Sequence, residues 1–505
     1  MLASFRRGAA VIISLVACSA FGQSLQPPAN LIVSSATNSA VQLSWTAAQP
    51  QAPGFIVERK TLNGAYATLP IIPDGGVPGV AFVDATIDPF TTYVYRVSAT
   101  SLNGTSTPSN EVTVGPPPPG YSVAAPVPST AGFWGQQVQM VLDANGDPAL
   151  GFAYIVADDN MDFSASMVYF VSWNRARYRW NPPVQVAAPG NIFVPRPLST
   201  ISLARDPTNN TFGFAYAIGD DLERLDLALS TDGGATWKAQ TVFANTGFQI
   251  QGMALAMYGG QGYLVYDQTL RGLTYITGSL AAAPAGWIRT PVPAPPGLSG
   301  FARPAFALAV DNTGAPGLAY WSSPGKGPNS VLAFWRPISL NSVVVADTAS
   351  VGNDQLTTDM TFFGVQPRIA MFAQRDNTTN FLWTTLSNDG GLTWSAPTNV
   401  PYDGRAITGN YISVAAGSTG QGALVSELIS NNTAAQCGLP KLALSPDFLT
   451  WTTCSPTADQ PVQTTPSFVK VVFAPNDMLY IAFDNTNSNA SALGNGVVVW
   501  RQPQP

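Results

Sequence analysis

Carboxylates whose spacing could do chemistry stand in two acidic stretches, "ADDNMD" from Ala157 and "GDDLERLD" from Gly219, and in two copies of one motif, "STDGGATW" from Ser230 and "SNDGGLTW" from Ser387. The acidic stretches offer oxygen ligands to Ca2+, although their spacing is not that of an EF-hand loop and Asp in exposed turns is ordinary. No histidine occurs in the 505 residues. That absence excludes Ser-His-Asp and Cys-His nucleophile activation and every histidine-ligated metal centre. Asp, Glu, Tyr, Arg, Lys, Ser and oxygen-ligated metals remain as catalytic material, and no metal or other cofactor is assigned. The net charge is −6, with no Lys/Arg cluster able to neutralise a row of phosphates. Nucleic acid is therefore not an expected partner.

The elements that position these residues follow from composition. Hydrophobic residues make up 46% and charged residues 10%, with Gly 45 and Pro 43, a balance of many turns and few solvent-facing helices that predicts an all-β chain. The first residues, "MLASFRRGAAVIISLVACSAFGQS", place Arg6 and Arg7 before an apolar run from Ala9 to Ala17. The run is too short to span a bilayer and reads as an export signal over residues 1–22. Two cuts compete. One follows Gly22; the other precedes Cys18 in "LVAC", which resembles the lipobox of bacterial lipoproteins and would tether an acylated Cys18 to a membrane surface. Either leaves Cys437 and Cys454, which are expected to pair in an exported chain. No later segment is apolar enough to cross a membrane as a helix. The expected location is extracellular, or periplasmic and cell-surface if Cys18 is lipidated.

Residues 27–114 alternate apolar and polar side chains in short runs, "VQLSW", "GFIVER", "YVYRVSAT" and "NEVTV", separated by Gly, Pro and Asn. This is a small β-sandwich pattern. The segment resembles a fibronectin type III domain through "VQLSW", "IDPFTTYVYRVSA" and "NGTSTPSNEVTV". That resemblance implies a core Trp at Trp45 and a tyrosine corner at Tyr93. "GPPPPG", residues 115–120, is then a stiff spacer and a domain boundary.

From 121 to 505 the chain repeats itself. "VQMVLDANGDPALGFAYI" at Val138, "ISLARDPTNNTFGFAYAI" at Ile201, "FALAVDNTGAPGLAYW" at Phe306 and "VKVVFAPNDMLYIAFD" at Val469 are each a strand, a polar turn and a second strand. A variable loop, a third strand, a turn and a fourth strand follow. Units beginning near residues 136, 198, 249, 303, 358, 409 and 466 predict a β-propeller of about seven blades. Six remain open because the units near 249 and 409 are degenerate. The last unit lacks an outer strand, and "YSVAAPV" at Tyr121 is available to supply it and close the ring.

The repeated motif falls between third and fourth strands and resembles the Asp box, or BNR repeat, of sialidase-like propellers. Weaker echoes are "SPDFLTW" from Ser445 and "AAAPAGW" ending at Trp287. The resemblance implies structural roles for Ser230, Asp232, Gly234 and Trp237 and for Ser387, Asp389, Gly391 and Trp394: a carboxylate that accepts backbone N–H groups, a Gly in a geometry closed to other residues, and a Trp that packs inward. It also implies that functional loops lie on the opposite face.

Sialidase chemistry uses an arginine cluster, an acidic Asp and a Tyr nucleophile assisted by Glu. The candidates that match are Arg196 in "VPRPLS", Arg303 in "FARPAF", Asp220 and Asp221 behind Arg196, and Glu427 in "ALVSELIS". Neither arginine stands in the family's "RIP" signature, and no tyrosine identifies itself as partner to Glu427. Proline at a strand entry beside an arginine that touches a neighbouring blade explains the Arg-Pro pairs equally well. The expected function is thus recognition of a glycan or an extracellular protein through propeller-face loops, with a sialidase-like glycoside hydrolase as the alternative and a structural module of a surface assembly as a further one.

Overall fold

The computed structural model describes residues 25–502 apart from 48–53, 70–79, 103, 127–132, 158–162, 188–200, 219–223, 245–249, 269–271, 297–299, 324–329, 338–340, 348–354, 375–379, 402–410, 427–440, 455–467 and 486–495. It divides into two compact units, one of residues 1–35, 41–85 and 93–113, the other of residues 36–40, 86–92 and 114–505.

The first unit is a β-sandwich of two antiparallel sheets. One sheet orders the strands Ala29–Ala36, Val41–Thr46 and Ala81–Asp84; the other orders Ala67–Thr68, Gly54–Thr61, Tyr93–Ser101 and Gly104–Thr105, with Val112–Val114 also on the Tyr93 strand. Alternation in "VQLSW" turns Val41, Leu43 and Trp45 inward, and the Trp45 ring meets Phe55 edge-on at 5.3 Å. Tyr93 is buried with the Arg59 guanidinium over its ring. Its neighbour Tyr95 donates its hydroxyl to Asp84 at 2.8 Å, and Asp84 also holds Arg59 at 2.6 Å.

The second unit is a seven-bladed propeller. Seven antiparallel sheets have inner strands Phe133–Leu142, Ile201–Arg205, Ile250–Tyr258, Gly300–Val310, Gln355–Phe363, Ile412–Ala416 and Val469–Phe473. Each inner strand packs on the next, and the first packs on the seventh, so the inner strands form a ring. The units near 249 and 409 are complete four-stranded blades; in the former, the two glycines Gly259 and Gly260 replace a longer polar turn. The outer strand of the seventh blade is Gly120–Pro126, paired with Gly496–Arg501 so that Tyr121 stands opposite Trp500. The start of the unit thereby closes it and leaves no open edge at the junction. The preceding residues are packed in as well: Gly115–Pro117 are buried, the Gly115 carbonyl accepts Trp173 Nε1 at 2.8 Å, and Arg501 reaches the Pro117 carbonyl.

The cores lie between blades. Phe170, Phe212, Phe214, Leu227 and Leu255 belong to one continuous apolar layer across the first three blades, and Phe334, Trp321 and Met371 lie in the layer between the fourth and fifth. Sheets stacked face to face in this way need apolar residues on both faces, which is why the second strands read as nearly continuous runs such as "FGFAYAI".

Candidate functional site

Each blade sends two kinds of connection to each rim of the ring. The links from first to second strands and from third to fourth strands share one rim, here the turn rim. The links from second to third strands and from one blade to the next leave from the other, here the loop rim.

On the turn rim, the two Asp boxes have one geometry. Ser230 Oγ donates to Asp232 Oδ1 at 2.8 Å and accepts the Gly234 amide at 2.9 Å; Asp232 also takes the amide and hydroxyl of Thr236 at 2.9 and 2.5 Å. Trp237 Nε1 closes the turn on the Gly234 carbonyl at 3.0 Å. Ser387, Asp389, Gly391, Thr393 and Trp394 repeat every one of these bonds. Above each box lies a ring from the preceding blade, Phe170 at 5.1 Å from Trp237 and Phe334 at 5.2 Å from Trp394.

The echo "SPDFLTW" is also a working box. Asp447 accepts the Ser445 hydroxyl and the amides of Leu449 and Thr450. Phe448 stands in the glycine position at φ 64° with its ring fully buried, and Trp451 Nε1 donates to Thr384 Oγ1 of the preceding blade at 2.7 Å. The other echo is not a box: Trp287 follows a single 3-10 turn, Pro284–Gly286, and donates to the Ser279 carbonyl.

These bonds to Thr236 and Ser230 hold the Asp232 carboxyl down at about 2, and the same donors from Thr393 and Ser387 depress Asp389. A carboxylate depressed in the folded state contributes stability above its unfolded value, about 3.9, and that contribution is lost as pH falls through the folded value. Urea midpoints of the wild-type chain are therefore expected to fall between about pH 4 and pH 2. The fall should be shallower in Asp232→Asn and Asp389→Asn, and an unchanged profile in both variants would refute this role.

At the end of the third strand in the first, fourth and seventh blades an arginine, Arg175, Arg336 or Arg501, stands in place of a box. Arg336 follows the third strand of the fourth blade and reaches Asp311 at 2.7 Å, the Gly390 carbonyl at 2.9 Å and the Val365 carbonyl at 2.7 Å, the last two in the fifth blade. Arg501 ends the third strand of the seventh. Asp206 adds another link by accepting the Gly259 and Gly260 amides of the next blade. The chemistry of the turn rim is thus spent within and between blades.

The central channel is a cavity of about 560 Å³ lined by the inner strands. Three side chains in it accept an amide of the following inner strand: Ser202 from Leu255, Asp359 from Val414 and Ser413 from Val471. Lys470 continues the series in the seventh blade and reaches back to Asp359 Oδ2 at 3.5 Å. Toward the turn rim a second cavity of about 410 Å³ shares Arg205 with the first. Burial lowers the Arg205 pKa, against the pull of Asp143 and Asp206.

Arg196, Asp220, Asp221, Glu427, Cys437 and Cys18 fall outside the described residues. Arg303 lies on the inner strand Gly300–Val310 and Cys454 on the strand Thr452–Cys454, with their side chains outside the description. Asp158, Asp159 and Asp162 of the first acidic stretch are outside it as well. Among the described residues no group of three or more His, Cys, Asp or Glu could hold a metal ion, and no helix is long and apolar enough to cross a membrane. Asp359 and Lys470 escaped sequence reasoning. Their signal was a charge set in an apolar first strand, "TTDMTF" and "VKVVF".

No protein-family model and no curated protein matches the chain. Among solved structures, the Hadza microbial sialidase Hz136 is similar at 11% identity over 94% of this chain and 92% of its own, with a TM-score of 0.41. The NanB sialidase from Streptococcus pneumoniae is similar at 12% identity over 94% and 93%, with a TM-score of 0.42. A protein of unknown function from Dyadobacter fermentans is similar at 11% identity over 76% and 98%, with a TM-score of 0.41. The propeller assignment rests on the strand pairing of the chain itself.

Proposed function

We propose that this chain is an exported binding protein that recognises a glycan or an extracellular protein through the connections of its loop rim. The observation that supports this reading is the division of labour between the rims. Links between first and second strands are short polar turns, such as 259–260, 311–315 and 417–421, occupied by bonds within and between blades. The strands on the other side are joined by much longer stretches, 402–410, 427–440, 455–467 and 486–495 among them, rich in Asn, Thr, Ser and Gly. The stretches between these strands include Asp220, Asp221, Arg196, Arg405 and Glu427. Variable loops on a rigid ring are the usual way a propeller presents a binding surface.

A glycan array probed with the full chain tests this. Binding is expected, and replacing 427–440 with a short Gly-Ser linker should abolish it, whereas Asp232→Asn on the turn rim should leave it unchanged. Binding that survives the loop replacement but fails in the turn-rim variant refutes the proposal. Release of a fluorescent sialoside that disappears in Asp221→Ala would instead select the hydrolase reading.

A further inference from the structure

The loop reading says nothing of the channel, yet the channel has the chemistry of a site. Its volume of about 560 Å³ lies within the range of small-molecule pockets, roughly 300–1,000 Å³. Two aromatic residues stand just before the inner strands of the sixth and seventh blades and line it: Tyr411 and Phe468, with ring centroids 4.0 Å apart. Phe468 is held at φ 59°, a conformation disfavoured for a bulky side chain and one that clusters at ligand sites. Two positions further along the same strands come Ser413 and Lys470, about 7 Å deeper for an extended chain. The aromatic step therefore lies nearer the loop rim than the Asp359–Lys470 pair.

That pair is incompletely used. Asp359 Oδ2 accepts the Val414 amide at 3.0 Å and faces Lys470 Nζ at 3.5 Å; Asp359 Oδ1 has no hydrogen-bond partner among the described residues, and the ammonium has one loose contact. A partly buried ion pair whose remaining acceptor and donor sites face a cavity is set to bind a ligand that both gives and takes hydrogen bonds. A sugar hydroxyl does both, and the apolar face of a sugar ring matches an aromatic platform, which the two charges of an amino acid do not.

We propose that the channel is itself a binding site for one neutral sugar residue, which enters from the loop rim, rests on Tyr411 and Phe468 and turns its hydroxyls toward Asp359 and Lys470. This deepens the glycan reading and rests on it for the class of ligand. The test is calorimetric titration and saturation-transfer NMR of the full chain with the methyl glycosides of glucose, galactose, mannose, fucose and N-acetylglucosamine, with glycine and glutamate as zwitterionic probes. At least one glycoside is expected to bind. Asp359→Asn, which keeps an acceptor for Val414, and Lys470→Met should each weaken it about tenfold, as for the loss of one charge-assisted hydrogen bond. Phe468→Gly, which suits the backbone conformation, should weaken it as well. No glycoside binding while array binding through the loops persists overturns the channel site and leaves the loop reading standing. Glycoside binding that falls in these variants, with a silent array, upholds the channel and removes the loop reading. Binding unchanged in all three variants, or binding of the zwitterions in place of the glycosides, overturns the assignment.

Discussion

Replacing Arg336 with methionine is expected to cost about 3–5 kcal/mol of unfolding free energy, the range for removing one partner of a buried ion pair. The guanidinium is nearly inaccessible and its partner Asp311 more so. It donates in three directions, to its own blade at Asp311 and to the fifth blade at the Gly390 and Val365 carbonyls, and it lies 5.0 Å from the Phe362 ring centroid. Methionine restores part of the packing and none of the bonds, so two carbonyls and a carboxylate lose their donor together. The Asp311 pKa is informative here: burial pushes it up, and the Thr313 hydroxyl, the Arg336 guanidinium and the amides of Thr313 and Ala315 together bring it below its ordinary value. Arg336→Lys should recover only a fraction, because an ammonium cannot match a planar fork aimed at three acceptors. Urea unfolding followed by tryptophan emission measures both variants. A loss under about 1 kcal/mol for methionine, the worth of an exposed pair, would mean that the blades do not depend on this link.

That prediction also marks how far the sequence could be read. The sandwich and the seven blades were legible because each repeats a local pattern, apolar alternation followed by a turn, that a few residues suffice to display. Closure by Gly120–Pro126 was legible too, since the last repeat was one strand short and one strand was left over. Arg336 was not legible as a link, because its partners Gly390 and Val365 belong to another repeat and no local pattern ties them to it. Phe448 was obscured for the opposite reason: an aromatic in a glycine position weakens the motif to the eye, while in the fold its buried ring fills the layer that includes Leu382 and Trp451. The channel pair joins the fifth and seventh blades, so only the ring brings Asp359 and Lys470 together.

The two glycines of an Asp box look interchangeable in "DGG" and are expected to differ sharply when replaced. At Gly390 the backbone has φ 77° and an added methyl group would meet nothing within 4 Å; at Gly391 φ is 103° and the methyl carbon would lie 2.2 Å from the Phe334 ring. The first box agrees, with open space at Gly233 and Phe170 at 1.9 Å from a methyl at Gly234. Gly390→Ala should therefore carry only the backbone cost of a side chain in the left-handed region, about 1–2 kcal/mol. Gly391→Ala adds overpacking against an aromatic ring fixed between two blades, typically 1–3 kcal/mol, for a total of about 2–5 kcal/mol. The two contributions separate in a double-mutant cycle. Phe334→Leu is destabilising by itself, but combined with Gly391→Ala it should cost less than the sum, since the smaller side chain makes room for the methyl group. Combined with Gly390→Ala it should be additive. Equal losses at Gly390 and Gly391, or strict additivity at Gly391, would show that the second glycine is needed for its backbone alone and that the ring does not rest on it.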